Sequence, residues 1–255
     1  MLPHHLESGV TQYMHLFIVS EDTLPTHLAY QFAGVHKPND CSWSDVTIHP
    51  SAERSQASLY ADLCRVHTGD ELLFYLETPH HDRNREGGRF YGIFEVVSHH
   101  PFYEPHGEYL ADQLGERRLV YRLQIRPKII YSRGLTEWNA MDEMTDFHSI
   151  HEIPWTLIYR KMTGGRGCTP LLPHEAQLIR RMLDLRNAGQ QLGAKHVAFN
   201  PETLNLEATD VSHSYEGCTA TFDKIDNWLR TLIAGGKRKW ELQLQAYLMQ
   251  EIRRN

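Results

Sequence analysis

The 255-residue chain has few cysteines, no long apolar run and no excess of positive charge. Its four cysteines are far apart and form no Cys-x-x-Cys pair, which favours reduced thiols over a disulfide framework or a zinc finger. No segment approaches the roughly 20 apolar residues that a membrane-spanning helix needs. The first ten residues lack the basic and apolar stretches of a secretory signal. The sequence therefore predicts a cytoplasmic protein with no membrane partner.

Signatures of catalysis are also scarce. The sequence contains no Gly-x-Ser-x-Gly, no recognisable Ser-His-Asp or Cys-His arrangement and no Glu-x-Lys. The 17 histidines include adjacent pairs at 80–81 and 99–100, but no cysteine or carboxylate pattern accompanies them in the way that a metal site requires. We therefore expect no catalytic residue, no metal site and no cofactor in this chain.

The net charge of −6 is unevenly distributed. Residues 155–195 carry seven basic and two acidic side chains, and residues 81–134 carry nine basic and seven acidic ones, whereas the flanking segments are acidic. Binding of a polyanion follows the local field at the contact surface rather than the total charge, so these two segments are compatible with a nucleic-acid partner. The alternative interpretation of either segment is an ordinary solvated surface.

Apolar periodicity predicts strands and short helices interleaved along most of the chain. Strands are predicted at residues 13–20, 71–77, 90–97, 119–126 and 154–162, and helices at 24–32, from 136 onward and at 173–185. This pattern predicts an α+β fold, a small twisted and partly open β-barrel with packed helices.

The C-terminal quarter of the chain differs in composition from the rest. Residues 188–221 are polar and rich in turn-forming residues, which predicts a linker after a first domain at 1–187. Residues 222–255 predict two further helices, the last with an apolar face that suggests a homodimer through these helices.

The order and spacing of four motifs resemble the EVE and YTH families of the PUA-like superfamily. The motifs are Trp43-Ser44, 69–76 (GDELLFYL), 88–97 (GRFYGIFEVV) and 153–160 (IPWTLIYR). The resemblance implies a reader domain, in which one modified base, typically a methylated adenine or cytosine, is flipped from its stack into an aromatic cage. Some such domains are the specificity modules of modification-dependent restriction systems.

A second resemblance concerns residues 239–252 (KWELQLQAYLMQEI), which look like the opening helix of the PD-(D/E)xK nuclease domains that follow such readers. The Asp and Glu-x-Lys that bind the divalent metal in those nucleases do not occur here. The resemblance therefore implies an endonuclease domain beyond Asn255.

The first candidates for the base pocket lie in one predicted loop. Trp43 matches the Trp-Ser motif, and its indole face would replace the stacking that a flipped base loses, about 1–3 kcal/mol per base. Ser44 and Asp45 follow it and are candidates for hydrogen bonds to the base edge. A core position for Trp43 and a capping role for Asp45 are the alternatives.

Further aromatic residues are candidates for the remaining walls of the pocket. Tyr91 lies in the predicted hairpin, Phe102 and Tyr103 lie in the loop after it, and Trp155 begins the last predicted strand. The loop contains no tryptophan, which departs from the family and leaves the identity of the modification open. Trp155 also fits a core position.

Six cations beside flexible glycine loops are candidates for phosphate contacts. They are Arg83, Arg85 and Arg89 around DRNREGGR, and Arg160, Lys161 and Arg166 around TGGRGCT. The second loop is not a P-loop, because it lacks the Gly-Lys-Ser/Thr ending.

These observations predict a binding module for modified double-stranded DNA. The alternatives are an RNA-binding PUA-like module, a nuclease active on its own and an interaction domain without a nucleic-acid partner.

Overall fold

The computed structural model of the chain describes residues 13–35, 59, 62–63, 65–78, 86–104, 109–115, 119–142 and 167–217. The strands in these ranges are β1 (Met14–Val19), β2 (Phe32–Val35), β3 (Glu71–Leu76), β4 (Arg89–Val96), β5 (Phe102–Tyr103), β6 (Tyr121–Ile129), β7 (Leu135–Thr136), β8 (Cys168–Leu171), β9 (Val197–Asn200) and β10 (Asn205–Ala208). The helices are α1 (Leu24–Ala29), α2 (Ala111–Leu114), α3 (Glu137–Asp142) and α4 (Pro173–Arg186).

Eight of these strands form one curled sheet in the order β2-β6-β4-β3-β1-β8, with β5 paired to β6 and β7 paired to β4. Neighbouring strands are antiparallel except β1 and β3, which are parallel with Met14 opposite Glu71. A parallel pair needs a crossover connection, and α1 and β2 lie within it. The predicted α+β fold with a curled, partly open sheet and packed helices is confirmed.

The sheet has an apolar core on each face. Leu72 and Phe74 of β3 join one core together with Leu28 of α1, whereas Leu73 of β3 joins the other together with Ile179 of α4. Successive side chains of a strand point to opposite faces, so β3 is buried on both sides. This is why its sequence, ELLFYL, is an apolar run rather than an alternation.

Gly92 allows the sheet to curl at its centre. It adopts a φ of +57°, and a Cβ at this position would lie 2.8 Å from Phe94 and 2.9 Å from Ile130. The register between β4 and β6 shifts at the next two residues, Ile93 and Phe94. A bulge of this kind bends a strand and increases its twist.

Helix α4 begins at Pro173, as the sequence predicts, and packs on the sheet. Pro173 occupies its first turn, and the Leu172 N–H donates to Glu175 Oε2 at 2.6 Å. The buried carboxylate of Glu71 on β3 forms ion pairs with Arg180 of α4 and with Lys128 of β6, the latter at 2.9 Å. The second core and these ion pairs together fix α4 on the sheet.

Six short strands, β2, β5, β7, β8, β9 and β10, were not predicted. The helix predicted at 24–32 ends at Ala29, and β2 follows it. Strand β8 forms directly after Gly167, where a glycine loop is predicted. Residues 197–208, inside the predicted linker, form an antiparallel hairpin of β9 and β10. The alternate residues Val197, Phe199, Leu204 and Leu206 are buried in the first core, so this segment is part of the folded body. Within the described part of the chain, no helix is long and apolar enough to cross a membrane.

Candidate nucleic-acid interface

Most of the predicted site residues lie outside the described residues. They are Trp43, Ser44, Asp45 and Trp155 of the predicted pocket, and Arg83, Arg85, Arg160, Lys161 and Arg166 of the predicted phosphate contacts. The structure describes Tyr91 and Arg89, and it describes the backbone of Tyr103, which pairs with Tyr121 of β6. The roles assigned to all these residues stay predictions.

Tyr91 links the central strand β4 to the β9–β10 hairpin. Its side chain is fully buried, and its ring meets Phe199 edge-on with centroids 5.8 Å apart. Its hydroxyl donates to the Leu204 carbonyl at 2.6 Å. The structure thus gives Tyr91 a defined packing role in the first core, and a role as a pocket wall stays a prediction.

Replacing Tyr91 by phenylalanine should lower the free energy of unfolding by about 1–2 kcal/mol, because the buried Leu204 carbonyl loses its donor. Urea denaturation measures this difference. Tyr13→Phe is the matched control, since Tyr13 is 47% exposed and should tolerate the same change. Equal stability of Tyr91→Phe and the wild type would show that this hydrogen bond does not anchor the hairpin.

Arg89 lies at the start of β4, where the predicted phosphate-binding loop rejoins the sheet. Its backbone is opposite Thr136 of β7, and its guanidinium lies 3.3 Å from the Glu86 carboxylate. The side chain is only 9% exposed. A phosphate contact by Arg89 would therefore involve the edge of a guanidinium that Glu86 already orients.

Arg122 of β6 lies at the centre of a cluster of aromatic rings that the sequence did not predict. It is fully buried, its Nε donates to the Leu119 carbonyl at 2.7 Å, and its two terminal nitrogens donate to the Tyr109 carbonyl at 2.8 Å and the Tyr215 hydroxyl at 3.0 Å. Its Cζ lies 5.0 Å from the centroid of the Phe32 ring and 5.8 Å from those of Tyr109 and Tyr215. The rings and carbonyls together hold one guanidinium, through cation–π contacts and charge-assisted hydrogen bonds.

Tyr215 closes this cluster from the C-terminal side. Its ring centroid lies 5.2 Å from Phe102 and 5.0 Å from Tyr109, and the Tyr109 hydroxyl accepts a hydrogen bond from the Glu216 N–H at 2.9 Å. Burial raises the pKa of the Tyr215 hydroxyl, despite the opposing charge of Arg122. Phe102, a predicted pocket wall, therefore packs against Tyr215, in a cluster whose centre is occupied by the Arg122 guanidinium.

Asp70 of the GDELLFYL motif anchors the start of β3. Its carboxylate accepts hydrogen bonds from the backbone N–H groups of Tyr13 at 3.2 Å and His67 at 2.8 Å, and it lies 3.1 Å from His15 Nε2. Burial alone would raise the pKa of Asp70, but these hydrogen bonds outweigh it and the pKa is lowered. The motif residue has a structural role in the turn before the strand.

No set of three or more His, Cys, Asp or Glu side chains in the described ranges is arranged to hold a metal ion.

The α+β fold, a curled sheet with a core on each face, is similar to several solved structures. No protein-family model matches the chain, and no curated protein matches it. A hypothetical protein from Leishmania major has 14% identity and a TM-score of 0.41, and the match covers 69% of this chain and 96% of that one. Human THYN1, in complex with DNA containing 5-methylcytosine, has 9% identity and a TM-score of 0.39, with 68% and 98% covered. Rpa0253 from Rhodopseudomonas palustris has 14% identity and a TM-score of 0.33, with 68% and 94% covered.

Proposed function

We propose that this chain is a DNA-binding module that recognises a methylated base by flipping it into an aromatic pocket containing Trp43. The observation that carries the proposal is the ordered set of motifs. Two of them, 69–76 and 88–97, correspond to the adjacent central strands β3 and β4 of a curled sheet. The two motifs that carry the EVE and YTH resemblance in the described residues therefore lie on one antiparallel pair of strands.

The energetics of base flipping explain why the pocket needs an aromatic residue. Removing a base from a duplex costs a few kcal/mol, and stacking on an aromatic side chain returns about 1–3 kcal/mol. Ser44 and Asp45 would add hydrogen bonds to the base edge, and the predicted cations would hold the flanking phosphates. The acidic remainder of the chain would keep binding to unmodified DNA weak, so that affinity depends on the pocket.

The test uses short duplexes that are identical except for one base: 5-methylcytosine, N6-methyladenine or no modification. Fluorescence anisotropy should show tighter binding of the full chain to one methylated duplex. Trp43→Ala should weaken that binding by about 5- to 150-fold, the equivalent of one lost stacking contact, and Trp43→Phe should retain most of it.

Tyr13→Ala provides a matched control, because it removes an exposed aromatic ring outside the motifs. Equal affinity for all three duplexes, or an unchanged affinity for Trp43→Ala, would contradict the proposal. Tighter binding to methylated single-stranded RNA than to DNA would favour the RNA-binding alternative.

We also propose that the module directs a cleavage activity carried by a different domain, as the resemblance of residues 239–252 to a nuclease helix suggests. Residues 1–255 with Mg²⁺ should then leave both methylated and plain duplexes intact on a gel. Cleavage by these residues alone would instead support the nuclease alternative.

A further inference from the structure

Trp138 is an exposed indole on a well-fixed backbone. It is 59% exposed in the first turn of α3, directly after β7. The backbone N–H of Trp138 donates to the Glu86 carbonyl at 3.4 Å, and the backbone N–H of Glu137 donates to the Gly88 carbonyl at 2.9 Å. The Tyr75 hydroxyl also donates to the Glu137 carboxylate. The folded body therefore presents the indole to solvent from a constrained position.

Arg133 and Arg186 lie beside the same short strand. The Arg133 backbone exchanges two hydrogen bonds with the Asn187 side chain, at 3.0 and 2.9 Å, and the Arg186 Nε donates to the Gly134 carbonyl at 2.8 Å. The side chain of Arg133 is exposed, and that of Arg186 is half-buried. Among the described residues, neither guanidinium has a carboxylate partner within ion-pair distance.

Among the described residues, the guanidinium groups near Arg186 outnumber the carboxylates there. Burial, together with the nearby charges of Arg89 and Arg133, lowers the pKa of Arg186, and Glu86 opposes this effect. Glu86 is itself paired with Arg89, and the Glu137 carboxylate accepts from Tyr75. Three guanidinium groups near two engaged carboxylates favour the approach of an anion.

We propose that Trp138, Arg133 and Arg186 form a second nucleic-acid contact, which binds a single-stranded DNA segment. The indole stacks on one unpaired base, and the guanidinium groups hold the phosphates on either side. The proposal rests on the proposed function and deepens it. The Trp43 pocket would read one base, and this second contact would hold another part of the DNA strand. Proteins that bind single strands without sequence preference usually stack the bases on aromatic side chains and hold the phosphates with cations.

The probe is a fluorescently labelled oligothymidylate, titrated with the full chain at several salt concentrations. Trp138→Ala should weaken binding by about 5- to 150-fold, and Trp138→Phe, which keeps a ring, should weaken it less. Arg133→Gln should reduce the slope of log K against log salt by about 0.7, the value for one single-strand phosphate contact.

Two matched variants control for loss of any exposed ring or cation. Tyr13→Ala removes an exposed ring on β1's N-terminal side, and Arg126→Gln removes an exposed cation that is paired with Glu95 at 2.9 Å. Glu95 lies six residues beyond Arg89 on β4, roughly 20 Å along the strand, so Arg126 is remote from the proposed surface. Both controls should leave the affinity and the salt slope unchanged.

Wild-type affinity in Trp138→Ala, or an Arg133→Gln effect no larger than that of Arg126→Gln, would overturn this proposal. So would a failure of the wild type to bind oligothymidylate. The Trp43 pocket is tested independently with methylated duplexes, so the failure of one proposal is distinguishable from the failure of the other.

Discussion

Replacing Arg122 by glutamine is expected to lower the free energy of unfolding by about 3–5 kcal/mol, because it removes two hydrogen bonds of a charged group at about 1.5–3 kcal/mol each. The glutamine side chain ends near the position of Arg122 Nε, so it does not reach the Tyr109 carbonyl or the Tyr215 hydroxyl, and these two part-buried groups lose their donor. The Phe32 ring also loses the cation that lies 5.0 Å from its centroid. Urea denaturation followed by circular dichroism measures the loss.

Arg126→Gln is the matched control for this experiment. Arg126 lies on the same strand, but its side chain is 61% exposed and its ion pair with Glu95 contributes about 0–1 kcal/mol. If Arg122→Gln fails to fold, Tyr215→Phe removes only one hydroxyl acceptor and should lower stability by about 1–2 kcal/mol. A loss for Arg122→Gln as small as that for Arg126→Gln would contradict the structural role of the cluster.

Acidification is expected to destabilise the protein through His27, by up to about 3 kcal/mol between pH 6.5 and 4. His27 is fully buried against Phe32 and Phe74, with ring centroids 4.8 and 5.3 Å away. Burial lowers its pKa from 6.5 to about 4; the hydrogen bond to the Phe32 carbonyl opposes this shift, and the charge of Arg122 adds to it. The folded state therefore holds the neutral imidazole.

The direction of this pH dependence follows from comparing proton binding by His27 in the unfolded and folded chain. The unfolded chain binds a proton at His27 below pH 6.5, whereas the folded chain does so only below about pH 4. The contribution of His27 is thus fully present above pH 6.5 and is lost as the pH falls to about 4. The lowered pKa of Asp70 acts separately, because its contribution is lost only as the pH falls below 3.8.

Urea midpoints measured across this pH range test the prediction, with His27→Leu as the comparison. The variant loses the hydrogen bond to Phe32 at every pH, but the part of the pH dependence that belongs to His27 should disappear. Titration by NMR should find the His27 imidazole neutral near pH 5. A His27 signal that titrates near 6.5 would contradict the assignment.

The strands that the sequence predicted best are those buried on both faces. The runs ELLFYL and FYGIFEVV correspond to β3 and β4 within two residues at each end, because continuous burial leaves a continuous apolar signal. The β9–β10 hairpin was missed because β9 buries only Val197 and Phe199 and β10 buries only Leu206, within a polar segment. A signal that short is indistinguishable from a loop until the core that accepts it is known.

The Arg122 cluster was unpredictable for a different reason. The cation counts toward the basic segment 81–134, and its burial depends on Tyr109 and Tyr215, which are 13 and 93 positions away in sequence. Trp138 is the opposite case, an aromatic residue that is exposed. The sequence predicted a helix from 136 onward but not which of its side chains are exposed. Both side chains acquire their roles from contacts between distant segments, and no local pattern encodes such contacts.

Strand β1 is the first described strand to leave the ribosome and one of the last to obtain both of its neighbours. It lies between β3 and β8, with Met14 opposite both Glu71 and Leu171. At about 5–20 residues per second, synthesis reaches β8 roughly 10–30 s after β1 has been made. For that interval one edge of an apolar strand has no partner, and such edges pair readily with other chains. The form of this protein most exposed to aggregation is therefore the nascent chain.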